Sequence, residues 1–207
     1  MDMQSGNIID ISLPLRDGMS IYPDNPSFLA RMERNGETYV STLTMGSHTG
    51  THIDAPRHRF ENGKGVDSIE LSRFVGRARV LDMTGVAGGV TKESLLPKNV
   101  KANERILIKT SNSVRGFSKF YDDFVYLESD AAAYLAGVGV LLIGIDSLSV
   151  KKRSGGQEAH DAFLAKGIPI VEGLDLSKVF EGEYTFVGLP LRLEGIDASP
   201  IRAVLIR

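Results

Sequence analysis

The stretch "HTGTHIDAPRH", residues 48–58, gathers three of the chain's four histidines into eleven positions around one aspartate. His48 and His52 are four apart, a spacing that on a helix would put both imidazoles on one face, as in zinc proteases that carry a Glu directly after the first His. Thr49 stands in that place here, and Gly50 between two β-branched threonines makes a poor helix interior. The stretch therefore reads as extended chain, in which even positions share a side. His48, His52 and Asp54 then face one way, with His58 beyond them, and Pro56 bends the path after Ala55. Gly46 and Gly50 are expected to give the backbone freedom that such a tight loop needs.

Two imidazoles and a carboxylate within seven residues form a three-ligand set that leaves positions for water, as a hydrolytic metal site requires. The competing reading is a row of solvated loop histidines. Crowding three imidazoles beside a carboxylate weighs against it, because unpaired polar groups at close quarters are costly. The fourth histidine, His160, falls on a predicted helix, and Glu172 ends the strand after the turn "KGIP". The pair could complete the same site, build a second one, or be a half-buried helix histidine and an exposed carboxylate; spacing leaves all three open.

Composition narrows the setting. A chain of 207 residues suits one domain spanning 1–207 and is long enough to bury a substantial core. With 24 basic against 26 acidic residues it carries a formal charge of -2, so neither nucleic acid nor an anionic membrane is expected as a partner. Cysteine is absent, which removes disulfides, thiolate ligands and cysteine nucleophiles together and leaves nitrogen and oxygen as metal donors. The opening "MDMQSGNIIDISLPL" has no basic region followed by a long apolar run, and nowhere does an apolar run reach the roughly 18 residues of a membrane helix, so a cytoplasmic protein is expected.

Short β-branched or aliphatic runs predict many strands: "NIIDIS", "FLARMER", "TYVSTLTM", "RARVLDM", "RILIKT", "VGVLLIGID", "IPIVEGL", "YTFVGLPL" and "IRAVLIR". Asn35 and Gly36, between the second and third, signal a hairpin. Two helices are predicted. One has Ser129 as N-cap and Gly137 near its stop; the other is "GQEAHDAFLAKG", with Gly167 as terminator. Each precedes an apolar strand, so the class is α/β, with a mixed central sheet or small barrel and a few flanking helices.

The chain resembles the cyclase family of metal-dependent hydrolases, which includes bacterial kynurenine formamidase and isatin hydrolase. The resemblance rests on "HTGTHIDAPRH", "GIDSLSV", "HDAFLAKGIPIVEGLDL" and "FVGLPLRLEGIDASPIRAVL", and so covers nearly the whole chain. It implies a swivelling β/β/α domain. It also implies one divalent cation on His48, His52 and Asp54 and a second on Asp54, His160 and Glu172, with Asp54 bridging and His58 as the catalytic histidine. Zinc is the ion implied for formamidases and manganese for isatin hydrolase. Such proteins form dimers or tetramers, and a neighbouring subunit can help line the site.

The activity implied is metal-dependent hydrolysis of an amide, formamide, lactam or lactone in a small-molecule substrate. Its most specific form is an arylformamidase that converts N-formylkynurenine to kynurenine and formate in tryptophan catabolism. Near the N-terminus the formamidases resemble "WPGDTP" where this chain has "YPDNP", so Tyr22 takes the place of the tryptophan and Asp24 that of the glycine. Tyr22 is the expected substrate-binding residue, able to stack on an aromatic ring. Two alternatives stand beside this reading: cyclase or dehydratase chemistry on another substrate, and a non-catalytic metal-binding protein whose coordination is closed to water.

Overall fold

The apolar runs around "RILIKT" organise the sheet. In the computed structural model of the chain, which describes residues 8–207, elements are numbered in chain order. Strands β5 (Val75–Asp82), β7 (Arg105–Lys109), β9 (Leu142–Ile145) and β10 (Ile170–Glu172) lie side by side and parallel. Parallel strands covered on both faces read as near-continuous apolar sequence, as β9 and β10 do, whereas β5 alternates Arg77 and Arg79 with buried Ala78 and Val80. In β7, Ile106 and Ile108 point to one core while Leu107 points to the other.

Antiparallel strands extend both edges. Beyond β5 come β11 (Gly182–Val187), β13 (Val204–Ile206) and β1 (Ile8–Asp10); beyond β10 come β4 (His52–Asp54) and β12 (Ala198–Pro200). The order is β1-β13-β11-β5-β7-β9-β10-β4-β12. Asn7, the first residue of "NIIDIS", lies outside the described residues. The sheet curls: an isolated bridge joins Ser12 to Leu174, and the Asp175 N–H donates to the Ile11 carbonyl at 2.9 Å, so the continuation of β1 meets that of β10. Inside the curl pack Ile11, Ile53, Phe74, Leu107 and Phe186. The expected α/β architecture with a mixed central sheet is present as this curled, nine-stranded form.

The outer face is covered by α3 (Ser129–Val138) and α4 (Glu158–Leu164), whose Leu135 and Phe163 pack on Leu81, Ile106 and Ile108. Two boundaries differ from expectation. Glu128, not Ser129, holds the N-cap position, and Gly137 lies within α3, which runs on to a left-handed Gly139 (φ 85°). The small Gly137 faces open space, so the helix continues through it and ends where a left-handed residue can close it. Gly167 does follow α4 with φ 66°, as expected. Two short helices, α1 (Lys92–Leu95) and α2 (Ser111–Arg115), and a two-residue parallel pair, β6 (Gly89–Val90) with β8 (Tyr126–Leu127), are too brief to show a period in sequence.

Strands β2 (Leu29–Asn35) and β3 (Thr38–Thr44) form the hairpin that Asn35-Gly36 predicted, with Gly36 at φ 64°. Every residue of both strands is exposed, Met32, Tyr39, Val40 and Leu43 among them. Among the described residues, no helix is long and apolar enough to cross a membrane.

Candidate metal centre

Strand β4 is the middle of three antiparallel strands, and its register builds the site. His52 stands opposite Glu172 of β10, and Asp54 stands opposite Ala198 of β12. Residues paired across strands project to the same face, so Glu172, distant in sequence, arrives beside His52, with Oε2 3.5 Å from Nε2. His52 and Asp54, two apart on one strand, also share that face, as the extended reading required.

The flanking turns supply the other histidines. His48 lies in the turn that leads into β4, where Gly50 adopts φ 66°; a Cβ there would come within 2.5 Å of Leu15. Gly46 takes no left-handed conformation and instead lies where a Cβ would press on the Pro26 ring, so only one of the two glycines serves the role expected of both. Pro56 opens a single 3-10 turn, Pro56–His58, which carries His58 back over the cluster. Its ring lies 4.4 Å from that of His48 and 5.3 Å from that of His160. Next to these, Arg59 donates to Asp161 at 2.7 Å and ties the turn to α4, which bears His160.

His160 Nε2 lies 3.3 Å from Glu172 Oε1 and 3.6 Å from Asp54 Oδ2. The ambiguity over His160 and Glu172 is thereby resolved: both join the cluster of His48, His52 and Asp54. Glu172 Oε1 also accepts the Val150 N–H at 2.6 Å, which steadies the carboxylate.

Asp54 is wholly buried, and its two oxygens face different neighbours. Oδ1 lies 2.9 Å from His48 Nδ1 and 3.4 Å from His52 Nε2, and Oδ2 faces His160. None of these approaches is aligned as a hydrogen bond, and among the described residues both oxygens, with His52 Nε2, are left without a partner. Buried acceptors without partners are costly, and here they converge on common space. His52 Nδ1 donates to the Gly50 carbonyl at 2.9 Å, which turns Nε2 towards that space. Ligand atoms of His48, His52 and Asp54 all lie within 4.8 Å of one another, as do those of Asp54, His58 and His160. This nitrogen and oxygen donor set fits a divalent cation.

One residue escaped the sequence reading. Asp197, immediately before β12, accepts from His48 Nε2 at 2.8 Å and from the Ser47 hydroxyl at 3.1 Å, and lies 3.9 Å from His58 Nδ1. It sits inside the block "EGIDASP", but nothing local marks it. Its closeness to His48 depends on β12 pairing with β4. A carboxylate behind an imidazole orients the ring and raises its basicity.

Charge coupling in the metal-free protein follows from this crowding. Burial opposes protonation of His48, but Asp54 and Asp197 outweigh it and lift the imidazole to about 10. For His52, burial is likewise overcome by Asp54 and Glu172, giving about 9. Burial pushes Asp54 upward, yet His48 and His52 hold it well below the usual carboxylate range. Contact with His48 and then His58 holds Asp197 low.

A cavity of about 160 Å³ opens over the cluster, with Tyr22 in its wall. Tyr22 is half-buried, and its ring meets Phe120 edge-on at 5.3 Å. Asp24 adopts φ 73°, a left-handed conformation seldom taken by a residue other than glycine. Tyr22 is thus placed to contact whatever enters.

The curled mixed sheet and its buried histidine and carboxylate cluster define the class of metal-site α/β proteins. Residues 9–152 match the family model described as "Putative cyclase", and the chain belongs to that cyclase family. It is 36% identical to a kynurenine formamidase of Bacillus mycoides (strain KBAB4) over 98% of this chain and 99% of that protein. A solved structure from Bacillus stearothermophilus, described as a predicted metal-dependent hydrolase, is 35% identical, with a TM-score of 0.87 over 96% of this chain and 97% of that one. Isatin hydrolase A from Labrenzia aggregata shares the fold, with a TM-score of 0.84 at 19% identity over 96% of this chain and 93% of that one.

Proposed function

We propose that residues 1–207 form one metal-dependent hydrolase domain acting on a C–N bond other than a peptide bond, and that its substrate is N-formylkynurenine, released as kynurenine and formate in tryptophan catabolism. The observation that carries this reading is Asp54: wholly buried, with neither oxygen accepting a hydrogen bond among the described residues while three imidazoles turn a nitrogen towards it. Similarity to formamidases along the full chain supports the substrate.

In this reading His48, His52 and Asp54 would hold one divalent cation, and Asp54, His160 and Glu172 would hold a second. Bound there, such cations supply Lewis acidity that polarises a carbonyl and lowers the pKa of water. His58 is assigned as the proton carrier: it takes a proton from the attacking water and returns it to the nitrogen that leaves when the C–N bond breaks. Asp197 orients His48, and the Tyr22 ring lies against the aromatic part of the substrate. Zinc is the first choice of metal and manganese the second, since imidazole and carboxylate donors suit both. We place the protein in the cytoplasm as a homo-oligomer, a dimer or tetramer, a reading supported by the apolar residues on the exposed β2–β3 hairpin.

Turnover of N-formylkynurenine, isatin and a lactone panel by protein of measured metal content tests the assignment. Formamide cleavage that is abolished by a chelator is expected. Activity confined to isatin or lactones would transfer the enzyme to another substrate, and a metal without exchangeable water would leave a binding protein.

A further inference from the structure

The basic run Lys151-Lys152-Arg153 passes the mouth of the cavity, and its three side chains are treated differently. Arg153 is engaged: its guanidinium lies over the rings of Tyr22 at 5.2 Å and Phe120 at 5.8 Å and is 3.6 Å from Asp122. Lys152 turns to the Tyr126 ring, 5.9 Å away. Lys151 alone of the three lines the cavity that holds the histidine cluster. Its ammonium reaches only the backbone carbonyls of Lys152 and Gly155, each at 3.3 Å, and forms no ion pair among the described residues.

A second polar group points into the same space. Gln157 immediately precedes α4, three residues before His160, and both side chains line the same cavity. Gln157 lines the cavity, and its Oε1 is buried without a partner among the described residues. A buried carboxamide oxygen without a donor is costly unless something that enters the cavity supplies one. The remaining charged side chains there are the imidazoles and Glu172, with the carboxylate of Asp54 beneath them. Of the side chains that line this cavity, Lys151 is the one outside the cluster that carries a positive charge, and an anionic group on a substrate is attracted to it there.

We propose that Lys151, with Gln157 beside it, selects substrates that carry a carboxylate at the end remote from the bond being cleaved. The Nζ ammonium donates to that carboxylate, and Gln157 Oε1 accepts an N–H or O–H from the same part of the molecule. This inference rests on the reading that the cluster hydrolyses an amide; it adds which amides are favoured and which side chain chooses them.

The test uses the metal-loaded, full-length protein with N-formyl-L-kynurenine and its methyl ester, which differ only in the carboxylate. Wild type is expected to favour the acid by about tenfold in kcat/KM, carried in KM, since one charge-assisted hydrogen bond is at stake. Lys151→Met should lower kcat/KM for the acid by about tenfold and so erase the preference, and Lys151→Arg should keep most of it. An acid-to-ester ratio that is the same in wild type and Lys151→Met overturns the proposal. Calorimetric binding of L-kynurenine against its methyl ester separates the two readings without turnover. Carboxylate preference that depends on Lys151, in a protein that cleaves no formamide, sinks the formamidase assignment and leaves the selection standing; formamide cleavage with no such preference does the reverse.

Discussion

Two aspartates in this protein are equally hidden from solvent and serve opposite ends. Asp54 and Asp146 are both wholly buried. Asp146 accepts from the Thr110 N–H at 2.8 Å, the Thr110 hydroxyl at 2.7 Å and the Ser113 N–H at 3.1 Å, and so fastens α2 to the end of β9. Asp54 accepts no hydrogen bond from the described residues. Their protonation differs accordingly: burial raises Asp146 despite its hydrogen bonds, whereas the imidazoles hold Asp54 low in spite of burial. Burial of a charge therefore says little about its role. What separates the site from the scaffold is whether the acceptor is already satisfied by the fold or left for something the fold does not contain.

The contrast can be broken most sharply at Asp54 itself. Asp54→Ala is expected to lose bound metal and essentially all turnover, measured by elemental analysis and formamide hydrolysis, because the residue shared by both proposed cation positions disappears. A variant that keeps its metal would place Asp54 with Asp146 as a structural carboxylate. His58→Ala should be next in effect, with metal content retained and kcat reduced by about 10²- to 10⁴-fold, the range of a lost general acid or base. Equal loss of metal and activity would instead make His58 a ligand, as its position near Asp54 and His160 permits.

Asp146→Ala tests the other member of the pair. It leaves three buried donors unpaired, so a destabilisation of about 2–4 kcal/mol is expected, seen as a lower Tm, with metal content and kcat per folded molecule unchanged. The smallest effect concerns pH. In the metal-free protein His48 and His52 titrate near 10 and 9, above the ordinary histidine value. Their ion pairs with the carboxylates then contribute fully to stability below about pH 6.5 and are lost as pH rises through about 9–10. Melting of the metal-free protein should fall across that interval, while the metal-loaded protein, whose ligand imidazoles are already deprotonated, should not show the drop.

Much of the scaffold was legible because it rests on local signals. Asn35-Gly36 announced its hairpin through turn chemistry, and the runs of β7 and β9 announced buried strands through their apolar continuity. Misplaced boundaries were those at which tertiary context decided between neighbouring candidates, as with Gly137 and Gly139 at the end of α3. Strand β12 was hard to see, since its three residues carry no period and its identity comes from pairing, whereas β4 was read as extended chain from its own residues.

The same division runs through the site. The sequence by itself determined the donor types, the absence of thiolates and the shared face of His52 and Asp54, because an alternating strand fixes side-chain direction within a few residues. That His160 and Glu172 complete the cluster was implied by family resemblance and left open by spacing. Only the tertiary structure brought Asp197 against His48, set Lys151 and Gln157 in the cavity wall, and left Asp54 unsatisfied where Asp146 is satisfied. Those outcomes depend on β4 lying between β10 and β12, a pairing of segments far apart in the chain, and local preferences carry no information about which distant strands will meet.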